Sequence, residues 1–66
     1  MKIEFVIGEN MDEICTRWLD VIPQKGEEVF FSEELQEKHD CACFRVIEIT
    51  HFIEEEHYVM IELSKA

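Results

Sequence analysis

Cys41-Ala42-Cys43-Phe44-Arg45-Val46-Ile47-Glu48-Ile49-Thr50-His51-Phe52-Ile53 is the stretch whose reading decides the fold. It is the longest run rich in β-branched and aromatic residues, the composition of a strand. Strict alternation from Phe44 and Val46 would place Glu48 and Thr50 on the same apolar face. Shifting the register by one residue at Ile47–Glu48 gives Phe44, Val46, Ile49, His51 and Ile53 instead. An extra residue of this kind is a β-bulge, which bends a strand at the corner of a small barrel. The stretch therefore predicts a long, bent central strand shared by two halves of a small β-barrel, with Glu48 in solvent.

Outward from this strand, the segments alternate between apolar periodicity and turn residues. Ile3, Phe5 and Ile7 against Lys2 and Glu4 predict a half-buried strand over Met1–Ile7, broken by Gly8-Glu9-Asn10. Met11, Ile14, Cys15, Trp18, Leu19 and Ile22 fall at helical spacing, and Asn10 with Glu13 resembles a capping box. Thr16–Ile22 is nevertheless rich in strand formers and runs into Pro23, which biases its predecessor to extended backbone. The two signals together predict a helical turn or loop at Asn10–Cys15 and a strand at about Thr16–Ile22. Pro23-Gln24-Lys25-Gly26 reads as a turn, and Glu27–Phe31 as a short strand. Ser32 suits an N-cap. Glu33 and Glu34 then begin, and Lys38 and His39 end, a helix whose charges complement its dipole. After the central strand, Glu54-Glu55-Glu56 turns the chain. His57–Leu63 alternates as a closing strand with His57, Val59, Ile61 and Leu63 on one face.

The fold class expected is therefore all-β: a small barrel of about five strands with a bulged central strand and a short helical insertion. Pro23-Gln24-Lys25-Gly26-Glu27-Glu28-Val29, then Phe44-Arg45-Val46-x-x-Ile49-x-His51 and a final alternating strand, resembles short SH3-like β-barrel proteins. Those occur widely in bacterial and phage genomes and are mostly of unknown function. The resemblance spans roughly Ile22 to Leu63, implies an SH3-like barrel, and implies no activity. The acidic insertion Ser32–Asp40 and the cysteine pair depart from that pattern, which makes them the places to look for a particular function.

Sixty-six residues suffice for one domain near the lower size limit, burying only about 60% of the extended chain's surface. Sixteen acidic residues against six basic ones give a net charge of −10. That balance argues against direct binding to nucleic-acid phosphates or anionic lipid and leaves basic proteins and cations as partners. No apolar run approaches the length of a membrane span, and the first residues do not resemble a signal peptide. Three cysteines without a secreted-scaffold spacing point to free thiols in a reducing, cytoplasmic setting.

Each candidate site has a plainer reading beside it. On an extended strand, His39, Cys41 and Cys43 would project to one face with zinc-type ligands, but the chain lacks the second ligand pair of a structural zinc site. The plainer reading is that Cys41 and Cys43 are small buried hydrophobes, and no cofactor is expected. His51 and His57, facing each other across neighbouring strands, could bind a metal or titrate together. More ordinarily, such a histidine caps the core edge. No nucleophile comes with a legible base, no phosphate-binding glycine pattern occurs, and catalysis is not expected. Glu33, Glu34, Glu37 and Asp40 could form a negative rim with Trp18 and Tyr58 as aromatic anchors beside it. The plainer reading of the acidity is solubility. Together these features predict a non-catalytic, acidic protein-binding module, capable of forming a homodimer. Its sharpest form is a phage or mobile-element inhibitor of a basic, nucleic-acid-handling protein. A zinc-binding protein and a small ligand-binding or enzymatic domain are the alternatives.

Overall fold

Alternating apolar residues write most of the sheet directly. In the computed structural model, which describes residues 1–54 and 56–66, Ile3 and Phe5 of β1 (Lys2–Ile7) enter the core. Glu55, read above as part of the acidic turn, lies outside the described residues.

The second element differs from expectation. No helical turn forms at Asn10–Cys15, and the strand β2 runs over Asp12–Trp18, not Thr16–Ile22. Gly8 (φ 83°) and Met11 (φ 54°) take left-handed backbone, and the Met11 N–H donates to the Gly8 carbonyl at 3.1 Å. That tight turn folds β2 back antiparallel on β1. Phe5 pairs with Cys15 and Val6 with Glu13, so Ile14 is an extra residue that bulges into the core. Adjacent inward residues at a bulge mimic helical spacing, which explains the misleading periodicity. Leu19 exchanges backbone hydrogen bonds with Met1 at 2.9 and 3.0 Å, and the chain then leaves the sheet.

The strand expected at Glu27–Phe31 shortens to β3 (Glu28–Val29), because Phe31 swings onto the core. Its ring meets Phe5 and Phe44 edge-on, with centroids 5.1 and 5.6 Å apart. Helix α1 (Glu33–His39) follows as expected: Ser32 Oγ accepts from the Leu35 N–H at 3.4 Å. Asp40 ends the helix in left-handed backbone (φ 49°), its N–H directed at the Gln36 and Glu37 carbonyls. Leu35 and Phe31 both pack on the core cluster, so α1 and its lead-in cover the inner face of the sheet.

The central strand β4 (Phe44–Phe52) carries its bulge where the hydrophobic register demands it. Val46 pairs with Leu63 and Glu48 with Glu62 of β5 (Tyr58–Lys65), leaving Ile47 as the extra residue. Val46 is buried, Ile49 is half-buried against the core, and Glu48 is exposed. The Gly26 N–H to Val46 carbonyl bond (2.8 Å) and the Val46 N–H to Glu27 carbonyl bond (2.9 Å) prolong the β3–β4 pairing. Gly26 sits at φ 92°, a conformation that disfavours other residues there.

The sheet order is β2-β1-β5-β4-β3, curled into a half-barrel. β1 and β5, far apart in sequence, lie side by side and parallel at its centre. Ile3, Phe5, Ile14, Phe44, Val46, Val59, Ile61 and Leu63 form the core. Among the described residues, no helix is long and apolar enough to cross a membrane.

Candidate functional site

Three surfaces are candidates, and they lie on different parts of the half-barrel. Helix α1 exposes Glu33, Glu34 and Glu37, and Asp40 is exposed at its C-cap. Glu33, Glu37 and Asp40 border a shallow depression together with Gln36 and Cys41. The ion pairs among the described residues are Lys25–Glu48 at 3.9 Å and Arg45–Glu28 at 3.1 Å, so none of these four carboxylates is paired with a cation. Their charges are hydrated and uncompensated, which costs little on the surface and leaves a field that reaches about one Debye length, roughly 8 Å.

Phe30 lies three residues before the helix and was not singled out in the sequence. It is 65% exposed, and Val21 opposite it is 80% exposed. Two open depressions of about 370 Å³ each share Pro23, Val29 and Phe30 in their walls. One continues to Glu27 and Glu28, the other to Arg17 and Ser32, the N-cap of α1. The result is an apolar ridge with Glu27 and Glu28 at one end and Arg17 and the helix N-cap Ser32 at the other. Val29 and Phe31 pack on the core, and Phe30 between them faces out, as strand alternation over Glu27–Phe31 requires; that alternation is the signal that marks it in the sequence.

Trp18 and Tyr58 are brought together, but not beside the α1 glutamates. Cross-strand register places Trp18, Lys2, Tyr58 and Phe52 in one row across β2, β1, β5 and β4. Lys2 alternates with the buried Ile3, so this row occupies the outer face, opposite the face covered by α1. Trp18 is 69% exposed. Tyr58 is half-buried, stacked on Phe52 at 4.7 Å with the Lys2 Nζ 5.5 Å from its ring centroid. The single rim expected from sequence is therefore two surfaces.

The His39-x-Cys41-x-Cys43 array does not form on a strand. His39 ends α1, Asp40 reverses the backbone, and β4 begins only at Phe44. Among the described residues no group of three or more potential ligands could hold a metal ion. The His39 ring instead lies edge-on to Phe44 at 6.3 Å, with Nε2 buried and without a hydrogen-bond partner. Cys15, Cys41 and Cys43 are free and half-buried. The Cys41 Sγ donates to the Cys43 carbonyl at 2.9 Å, and the Cys43 Sγ to the Glu28 carboxylate at 3.3 Å.

Partial loss of hydration raises the Cys43 thiol above its ordinary pKa, and the hydrogen bond to Glu28 and that carboxylate's charge add to it. Partial burial raises Cys15 in the same direction, opposed by Arg17. A raised pKa means less thiolate at any pH below it, and thiolate is the reactive form. Alkylation of Cys15 and Cys43 at pH 8 should therefore be slower in the folded protein than after denaturation, and should keep accelerating above pH 9. Timed iodoacetamide labelling read by mass spectrometry checks this; equal rates in the folded and denatured states would contradict it.

His51 and His57 do meet. His51 on β4 pairs with Val59, His57 immediately precedes β5, and the His51 Nδ1 lies 3.1 Å from the His57 Nε2. Both rings are exposed at the hairpin end, outside the depressions described above.

Compared with family models, with curated proteins and with solved structures, the chain matches none.

Proposed function

We propose that this chain is a non-catalytic, acidic protein-binding module whose partner is a basic protein. The observation that carries the reading is the apolar Phe30 ridge, which runs from Glu27 and Glu28 to Ser32, the N-cap after which the unpaired carboxylates Glu33 and Glu34 follow in α1. An exposed aromatic side chain supplies buried area at a contact, and charges around it supply orientation and association rate. Glu27 and Glu28 close the other end of the ridge, although Glu28 is already engaged by Arg45. A partner presenting an apolar side chain flanked by lysine or arginine matches this arrangement.

The sharper form of the proposal is that the partner handles nucleic acid and that this domain occupies its phosphate-binding groove. A net charge of −10 on 66 residues suits a competitor for such a groove and excludes the domain from nucleic acid itself. The resemblance of the Ile22–Leu63 sequence to small bacterial and phage SH3-like barrels supports this setting by analogy.

Affinity capture with the tagged chain, run in parallel at low and high salt, tests the proposal. The expected result is a specifically retained basic protein whose recovery falls as salt rises. Recovery only of acidic proteins, or of a partner indifferent to salt, would overturn it and leave the charge as a solubility device.

A further inference from the structure

We propose that the second half of β4 is the contact by which two copies of this chain join, edge to edge, into one continuous sheet. β3 covers only the first half of β4: it pairs with Phe44 and Arg45, and the residues leading into it bond to Val46. From Glu48 to Phe52, β4 has β5 on one side and, among the described residues, no strand on the other. The opposite edge of the sheet is β2, which carries Asp12, Glu13 and Arg17. Charged residues of that kind, and prolines, guard sheet edges against pairing. The open length Glu48-Ile49-Thr50-His51-Phe52 has one acid and no lysine, arginine or proline, and Lys25 lies 3.9 Å from that acid.

Backbone handedness decides which groups are free. Val46 is buried and directs its N–H and C=O to the β3 side, where Glu27 and Gly26 take them. Any L-residue of the same strand with its side chain on the same face directs them the same way. Ile49 packs on the core and His51 follows it by two, so both turn their N–H and C=O to the open side. No backbone bond outside the ladder with β5 engages them among the described residues.

The pattern of the segment selects a second copy and its register. Identical strands paired antiparallel about a two-fold axis set odd residues opposite odd ones and even opposite even. Centring on Ile49 would drive Phe52 of the other copy against Val46, whose backbone groups are already engaged. Centring on His51 would set Glu48 opposite Glu54, a like-charge pair. Centring on Thr50 avoids both. Glu48 then faces Phe52, and Ile49 of each copy exchanges both backbone hydrogen bonds with His51 of the other. β4 ends at Phe52, so the other chain has left the ladder before it reaches Val46, and its Glu54 is carried towards Lys25. This contact is independent of the basic partner proposed for the Phe30 ridge.

The test is sedimentation velocity over a concentration series at low and high salt, with cross-linking as a second readout. The expected result is a reversible dimer whose share rises with salt, because each copy carries −10 and salt screens their repulsion. That response is opposite to the one expected for a basic partner, so the two proposals fail separately. Thr50→Lys should abolish the dimer although it lowers the net charge, because the two lysines would face each other across the axis. Its circular dichroism should be unchanged, since Thr50 lies on the sheet face opposite the core-packed Ile49. With oxidised glutathione as oxidant, Thr50→Cys should yield a dimer linked at position 50, mapped by mass spectrometry, whereas Glu48→Cys should not link to itself. A monomer at every concentration and salt, even one whose edge takes some other peptide, would overturn the proposal. So would a dimer unmoved by Thr50→Lys, or equal self-linking at positions 48 and 50.

Discussion

Phe44→Ala should unfold the domain at ordinary temperatures. Phe44 is fully buried, meets the ring of Phe31 at 5.6 Å and the ring of His39 at 6.3 Å, and pairs with both Val29 and Lys65 across its strand neighbours. It therefore ties the sheet to the covering segment that leads into α1. Truncating a buried phenylalanine costs about 3–5 kcal/mol. A domain of this size has roughly 3–10 kcal/mol in total, from the usual 0.05–0.15 kcal/mol per residue. Urea denaturation followed by circular dichroism reads the effect directly. Phe30→Ala is the matched control: the same atoms are removed from an exposed site, so stability should change by no more than about 0.5 kcal/mol. An unshifted midpoint for Phe44→Ala would mean that the core lies elsewhere.

The second large effect concerns binding. Reversing Glu33, Glu34 and Glu37 to lysine moves the net charge from −10 to −4 and inverts the field over α1. Association with a basic partner at low salt should slow by about 10- to 100-fold, and the difference should shrink as salt screens it. A second triple variant, Glu9→Lys/Asp12→Lys/Glu13→Lys, carries the same net charge on the β1–β2 hairpin, where all three residues are exposed. It should slow association far less if α1 is the contact. Phe30→Ala should act mainly on dissociation, because anchors are felt after the partner has docked. Stopped-flow or surface-plasmon measurements separate the two rates. Equal slowing by both triples would place the effect in overall charge and remove α1 from the contact.

How much of this was legible depends on whether the signal is local. The β4 bulge could be read from Val46, Glu48 and Ile49 alone, because one slipped register turns a charged residue into the core. Ser32, the glutamates after it and the basic residues before Asp40 announced α1 with its ends in place. The β2 bulge is equally real, but its apolar spacing predicts a helical turn or loop at Asn10–Cys15. There the signal was two adjacent apolar residues, Ile14 and Cys15, with no misplaced charge to betray the slip. Which strands neighbour each other is set by long-range packing, so the adjacency of β1 and β5 was out of reach of periodicity. The same limit applied to the site. The glutamates of α1 and the pair Trp18 and Tyr58 were each identifiable as surface candidates, but only the curl of the sheet decides that they occupy opposite faces. The two histidines were legible as facing partners because a hairpin with a short turn fixes their register locally.

The parallel pairing of β1 with β5 has a mechanical consequence. The chain enters β1 at one end of the sheet and leaves β5 at the other, with Lys2 beside Tyr58 and Ile7 beside Leu63. A force applied through residues flanking these two strands pulls them past each other along their length. The hydrogen bonds between them are then loaded together in shear, rather than one at a time as in the unzipping of a hairpin. Under tension applied that way the domain should yield abruptly and at higher load than its thermodynamic stability suggests, because forced rupture follows the unfolding barrier. Pulled instead across the β4–β5 hairpin, the same molecule should peel open from its histidine-bearing tip.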